Sequence, residues 1–370
     1  MAKVLITGIN GYIAAHTAAR FLQAGFNVRG TVRNKTSPNV ESLLRALSSP
    51  EKTGGGKVEI VEVPDITVDG AFDDAVQGVH AIAHLASPVS MADGDPTPMM
   101  KAAVDGTTSL LASAIGSASK IKSVVFMSSI SAVYSPSPDR GPNHVFTSAD
   151  WNQEAEAKVT ELGDKTPGYV TYQASKTAAE KALWKFVDEK NDPKWATVNV
   201  TTFCPSPVLG PPLFMPSPLS GLSMRVKDIW DVMHGGEVPE ASVIRGTFVD
   251  VRDVAEVVVR SVADDLASEE EGKKKRERLL LLAQDNVSPG QMAKVLREEF
   301  GDRLKGVIRE AHEGEDEEVV RERVALKKFD SSLARKVLGK DWVMFRDSVV
   351  DSARFFVNFE ETTPGCEELR

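Results

Sequence analysis

Eight residues near the N-terminus constrain this chain more than any other feature. Thr7-Gly8-Ile9-Asn10-Gly11-Tyr12-Ile13-Ala14 follows a β-branched apolar run and opens a helical pattern. Gly8 permits a tight turn, Gly11 lets backbone approach a pyrophosphate, and Ala14 allows a helix to pack closely on a strand. The helix start beyond offers unbonded N–H groups and partial positive charge to phosphates. The spacing is G-x-x-G-x-x-A, looser than G-x-G-x-x-G, so its weight comes from its place between strand and helix. It implies an α/β fold of Rossmann type, a doubly wound parallel sheet.

The first two hundred residues fit that expectation, alternating short β-branched runs with helical patterns. Strands are expected at Lys3–Thr7, Asn27–Val32, Lys57–Val63, His80–Leu85, Ile121–Met127 and Thr197–Phe203. Helices are expected at Gly11–Ala24, Val40–Leu47, Asp69–Val76, Met99–Ile115 and Tyr172–Glu189, with Gly54-Gly55-Gly56 as a loop. Residues 205–218 then contain six prolines, which rules out both helix and inner strand. An irregular stretch directly after a parallel strand leaves the carboxyl edge of the sheet, where ligands of open α/β folds bind.

Beyond it, Thr247–Val251 reads as a strand and Asp253–Ala263 as a helix, while Glu269–Arg278, with nine charges in ten residues, reads as a solvated loop. Ser288-Pro289 has the pattern of a helix start before Gln291–Phe300, and Asp330 of a cap on Ser331–Leu338, with Gly339 past its end. The last third is therefore a smaller, mostly helical lobe. Residues 1–204 with 242–285 are expected to form a dinucleotide-binding domain, and 205–241 with 286–370 a substrate-binding lobe.

A net charge of −9 argues against nucleic acid as a partner, since phosphate binding needs a basic face. Cys204 and Cys366 are the only cysteines, which excludes a disulfide framework and a cysteine-rich zinc site; no metal is expected. No apolar run approaches the ~20 residues that span a bilayer. The N-terminus enters a strand pattern at once, leaving no room for a secretory leader. These features predict a soluble, cytoplasmic monomer or homodimer that acts on a small molecule, with neither nucleic acid nor membrane as partner.

Of the four tyrosines only Tyr172 has a lysine four residues on, Lys176, so phenol and ammonium share one helical face. A nearby ammonium favours the phenolate, and a phenol tuned toward neutral pH gives a proton readily to a carbonyl oxygen. Ser128 and Ser129 end the fifth strand, where a hydroxyl can bond a developing oxyanion. Strand alternation allows at most one of the two to face inward. His84 and Cys204 are expected to be packed, serving structure rather than chemistry.

At the end of the second strand a reader of a ribose 2′-OH would be Asp or Glu. The chain has Thr31-Val32-Arg33-Asn34-Lys35 there, and its first acid after the glycine turn is Glu41. Arg33, with Lys35 beside it, instead suits the 2′-phosphate of NADPH.

The glycine turn, the paired serines and Tyr172-Gln173-Ala174-Ser175-Lys176, in this order, resemble the extended short-chain dehydrogenase/reductase family, most nearly its dihydroflavonol reductase and methylglyoxal/aldehyde reductase branch. Val63-Pro64-Asp65-Ile66, His84-Leu85-Ala86-Ser87-Pro88, Ala179-Glu180-Lys181, Val249–Ala255 and Phe329-Asp330-Ser331-Ser332 extend the likeness from Val4 to about Leu338. The resemblance implies Ser129, Tyr172 and Lys176 as the catalytic set. It implies cofactor contacts at Thr7, Gly8, Asn10, Gly11, Tyr12, Ile13, Asp65 (by the adenine), Ile66, Leu85, Ala86, Ser87, Pro205 and Val208, and places Pro88, Ile130, Ser206 and Phe214 at the substrate. The family's usual Asn-Pro is replaced by Cys204-Pro205, its Val-Asn-Gly by Val104-Asp105-Gly106, and its threonine by Met127. The expected function is NADPH-dependent reduction of an aldehyde or ketone. The rivals are an NAD-dependent sugar-nucleotide epimerase or dehydratase and a non-catalytic cofactor-sensing regulator.

Overall fold

The computed structural model describes residues 1–48, 54–87, 91–135, 144–189, 192–239, 246–268, 274–285, 287–304, 306–308 and 328–363. Seven strands form the main sheet: β1 (Lys3–Ile6), β2 (Asn27–Val32), β3 (Val58–Glu62), β4 (Ala81–His84), β5 (Ser123–Met127), β6 (Asn199–Pro205) and β7 (Arg276–Leu281). Their order is β7-β6-β5-β4-β1-β2-β3, every pair parallel. The helices along the described chain are α1 (Tyr12–Gln23), α2 (Pro38–Leu47), α3 (Thr97–Gly116), α4 (Gln153–Leu162), α5 (Gly168–Glu189), α6 (Met224–Met233), α7 (Val251–Ala267), α8 (Pro289–Leu304), α9 (Ser332–Leu338) and α10 (Phe345–Thr362).

The apolar runs of β1, β4 and β5 are buried because helices cover both faces, as parallel sheets require. On one face Val4, Ile6 and Val28 pack with Phe21 of α1, Leu43 of α2 and Val254 and Val257 of α7. On the other, Leu5, Ile82 and Val124 pack with Leu110 of α3 and Leu183 of α5. A third core joins α6, α8 and α10 through Ile229, Trp230, Leu296 and Phe356; this is the helical C-terminal region. The strand order reverses beside β1 and β4, which opens a crevice at their carboxyl ends.

Two expectations are corrected. Asp69–Val76 is a chain of turns, not a helix. Gly70 sits at φ +76° and Gly78 at φ +70°, conformations that interrupt helical bonding, although Phe72, Ala75 and Val76 are buried as a helix would bury them. The charged run does not end as a loop either. Arg276, Glu277 and Arg278 begin β7 and pair in register with Val200, Thr201 and Thr202. Part of that run, residues 269–273, lies outside the described residues, as do Pro88 and Cys366. The two helix starts that sequence reading singled out do form. Ser288 and Gln291 bond each other's backbone N–H groups (3.1 and 3.0 Å) at the head of α8. At the head of α9, Asp330 Oδ1 accepts from Ser332 N at 3.0 Å, and Gly339 closes that helix at φ +65°.

Candidate active site

The glycine turn lies against the end of β4. Gly8 has φ +64°, and a Cβ there would stand 3.1 Å from the Ala86 methyl carbon. Thr7 ties the two strand ends together, its Oγ1 accepting from the N–H groups of Leu85 (3.0 Å) and Ala86 (2.9 Å). With both acceptances made, its own hydrogen is left for His84 Nδ1 at 2.8 Å. His84 is therefore a neutral imidazole carrying its proton on Nε2. Burial, and then the charge of Lys176, pull its pKa down to about 3. The histidine serves structure, as its apolar setting suggested.

Gly11 caps α1 with no side-chain hydrogen bond, and the first turn of that helix holds no acid. The N–H groups there remain directed at an incoming anion. Asn10 and Ile13 are half-buried on either side. The Tyr12 phenol points elsewhere, donating to Gly210 O at 2.7 Å, so this residue offers phosphates only its backbone.

Ser129, Tyr172 and Lys176 meet where β5 ends beside α5. The two serines diverge as strand alternation requires. Ser128 Oγ turns away and donates to Glu180 Oε2 at 2.6 Å. Ser129 Oγ accepts from Ser131 N at 3.1 Å and lies near enough to the Tyr172 phenol to lower its pKa. Burial raises that phenol above its usual value near 10, opposed by Ser129. Downward tuning of the phenol is thus corrected for this state, because burial acts on phenol and ammonium alike. Lys176 is pulled down to about 8 by burial, against the opposing charge of Glu180. Its Nζ bonds Met127 O at 3.3 Å. A lysine has three donors to place, so this buried cation suits vicinal hydroxyls.

Sequence reading missed what holds this corner. Glu180 is fully buried one turn beyond Lys176, and Arg278 of β7 grips it with Nε–Oε1 at 2.8 Å and Nη2–Oε2 at 3.1 Å. Thr202 Oγ1 adds a donor to Glu180 at 2.6 Å. Arg278 also donates to the carbonyls of Ala132, Ser148 and Asp150, and stacks 3.8 Å from the Trp151 ring centroid. The turn that carries Ser129 is therefore wired to a paired buried charge. Cys204 packs beside it, its thiol pushed up by burial and by Glu180, hence protonated and unreactive. The run of four leucines, Leu279–Leu282, directly after the charges was the one signal that could have marked β7.

The remaining residues are spread along the crevice. Arg33 and Lys35 are exposed beyond β2. Asp65 is exposed across from them, its Oδ1 taken by Thr67 N at 2.8 Å and Thr67 Oγ1 at 2.7 Å. Ile66 leans on the α3 core, close to where a Cβ on Gly106 would stand. Leu85 and Ser87 are half-buried at the end of β4. Pro205 ends β6, and Val208 pairs with Val249. Ser206 is buried with no partner for its Oγ, the kind of orphaned group a bound ligand satisfies. Ile130 packs with Val133, Tyr134 and Cys204, whereas Phe214 is half-buried against the main core.

A cavity of about 950 Å³ lies at the opposite, amino end of the strands, lined by Ile115, Lys122, Trp195, Asn199 and Asp265. It touches none of Ser129, Tyr172 and Lys176; at the carboxyl edge the glycine cradle, the uncapped helix start and Lys176 together fit a dinucleotide. Among the described residues no cluster could hold a metal ion, and no helix is long and apolar enough to cross a membrane.

Comparison with known proteins agrees with this geometry. The chain is 35% identical over 301 residues to a putative uncharacterized oxidoreductase, C513.07, of Schizosaccharomyces pombe, covering 80% of this chain and 82% of that protein. It is 36% identical over 261 residues to the ketoreductase azaE of Aspergillus niger, covering 68% and 71%. Among solved structures it is similar to yeast methylglyoxal/isovaleraldehyde reductase Gre2 complexed with NADPH, at 25% identity and a TM-score of 0.77, covering 98% of this chain and 100% of that one. Residues 4–272 match the NAD dependent epimerase/dehydratase family. A Rossmann-type parallel sheet, a glycine turn against β4 and a Ser-Tyr-Lys corner accompany that match, and the chain belongs to this family.

Proposed function

We propose that this protein reduces an aldehyde or ketone to an alcohol with NADPH. The observation that carries the reading is the meeting of Ser129, at the end of β5, with Tyr172 and Lys176, one turn apart on α5, where the buried Lys176 Nζ bonds Met127 O. Bound NADPH supplies a hydride to the carbonyl carbon. Ser129 donates a hydrogen bond to the carbonyl oxygen and Tyr172 gives that oxygen its proton. Lys176 holds the nicotinamide ribose and stabilises the phenolate left behind. The first turn of α1 receives the pyrophosphate, Arg33 with Lys35 the 2′-phosphate, and Asp65 flanks the adenine. Ketoreductase and aldehyde reductase names among the relatives support a carbonyl substrate.

The test is an NADPH-oxidation screen over short aldehydes, diketones, β-ketoesters and aromatic ketones. Turnover with at least one class, faster than with NADH, is expected. No consumption, together with a nicotinamide cofactor retained through purification, would move the assignment to an epimerase or dehydratase.

A further inference from the structure

The proline-rich segment after β6 has few means of holding its own shape. Prolines at 207, 211, 212, 216 and 218 lack the N–H that a ladder needs. Only Val208–Leu209 forms a short strand, against Val249–Asp250. Beyond it the backbone is fixed by side chains from two helices of the nucleotide-binding side. Tyr12 OH donates to Gly210 O at 2.7 Å, and His16 Nε2 donates to Pro211 O at 2.9 Å. Asn39 Oδ1, in the first turn of α2, accepts from Ser217 N at 2.8 Å. Tyr12 and His16 are one turn apart on α1, their rings edge-on at 5.9 Å. Burial and the charge of Asp250 hold the Tyr12 phenol well above its usual value, so it remains a donor. Between these anchors lie Leu213, Phe214 and Met215, all half-buried.

We propose that Tyr12, His16 and Asn39 are positioning residues that fix residues 210–217, and with them the Leu213–Met215 wall of the carbonyl site. The proposal rests on the reductase reading for the identity of that wall, but not for the anchoring itself. The helices that begin at the phosphate subsites thereby set the room available to the substrate's apolar group. Tyr12 belongs to substrate fit through its side chain, and to the cofactor only through its backbone.

The decisive experiment is hydrogen–deuterium exchange on the intact chain without cofactor, paired with kinetics. Tyr12→Phe, His16→Leu and Asn39→Ala should speed exchange across residues 208–222 while α5 keeps its protection. His16→Gln and Asn39→Asp, which keep a donor and an acceptor, should restore the wild-type pattern. The KM for the carbonyl should rise about fivefold in each disrupting variant, with the NADPH Kd within twofold of wild type. Unchanged exchange in both Tyr12→Phe and His16→Leu overturns the proposal. So does a tenfold weaker NADPH Kd in Tyr12→Phe with the carbonyl KM unmoved. If wild type reduces no carbonyl, the reductase reading falls, and the exchange comparison alone decides the anchoring.

Discussion

The proposed catalytic corner and the proposed phosphate rim are built in opposite ways. At the corner side chains are tied to one another or to backbone before a ligand arrives: Ser128 to Glu180, Glu180 to Arg278, Lys176 to Met127 O. At the rim Arg33, Lys35 and Asp65 stand in solvent. The proton transfer proposed for the corner needs distances held to fractions of an ångström, and a buried, paired Glu180–Arg278 charge beneath it suits that need. Attraction of a dianionic phosphate works through charge and tolerates loose geometry, so the rim stays open.

The sharpest way to break this contrast is Tyr172→Phe. It removes one oxygen from the corner and should lower kcat by about 10²–10⁴-fold, with the NADPH Kd nearly unchanged by fluorescence titration. Retention of half the wild-type kcat would remove Tyr172 as the acid. Next comes the foundation of the corner. Glu180→Ala strands the Arg278 charge and should destabilise the fold by about 3–5 kcal/mol in denaturant melts, whereas Arg33→Ala should leave the midpoint where it was. Equal midpoints would mean that the corner is not prewired.

Within the corner the serines should separate by readout. Ser129→Ala should lower kcat by about 10²–10³-fold, and Ser128→Ala should act mainly on stability by depriving Glu180 of a donor. Equal losses of kcat would contradict their divergence. The smallest effect belongs to the rim: Arg33→Ala should weaken NADPH by roughly one to two decades and leave NADH alone. A mutant that loses both cofactors alike would place the 2′-phosphate elsewhere.

The same contrast governs what can be read without coordinates. The glycine turn, and the four-residue step from Tyr172 to Lys176, are local, so geometry follows from spacing. The rim is local as well, since Arg33 merely ends a strand. Glu180 and Arg278 are 98 residues apart, and no local pattern announces that two charged side chains will be buried against each other. The charges of β7 hid a strand because an edge strand beside a charged run has the composition of a loop. Asp69–Val76 misled in the other direction: its apolar spacing is helical and its burial follows that spacing, but the backbone between two left-handed glycines is not. Periodicity reports which side chains go inside, and hydrogen bonding decides the element.

Lys176 leaves a signature that reaches beyond the site. A buried ammonium titrating at about 8 instead of its ordinary 10.5 is a strained proton carrier even when the enzyme is idle. Between those two values the unfolded chain binds more protons than the folded one, so this residue makes the apo fold firmer as alkali is added, by at most about 1.4 kcal/mol per pH unit. Below pH 8 its full penalty applies. Lys176→Met should abolish the alkaline gain and raise the melting temperature at about pH 7, while eliminating turnover. The protein would then be a sturdier object and no longer a catalyst, with the difference in stability measuring how much folding free energy is held in reserve for the ligand's hydroxyls.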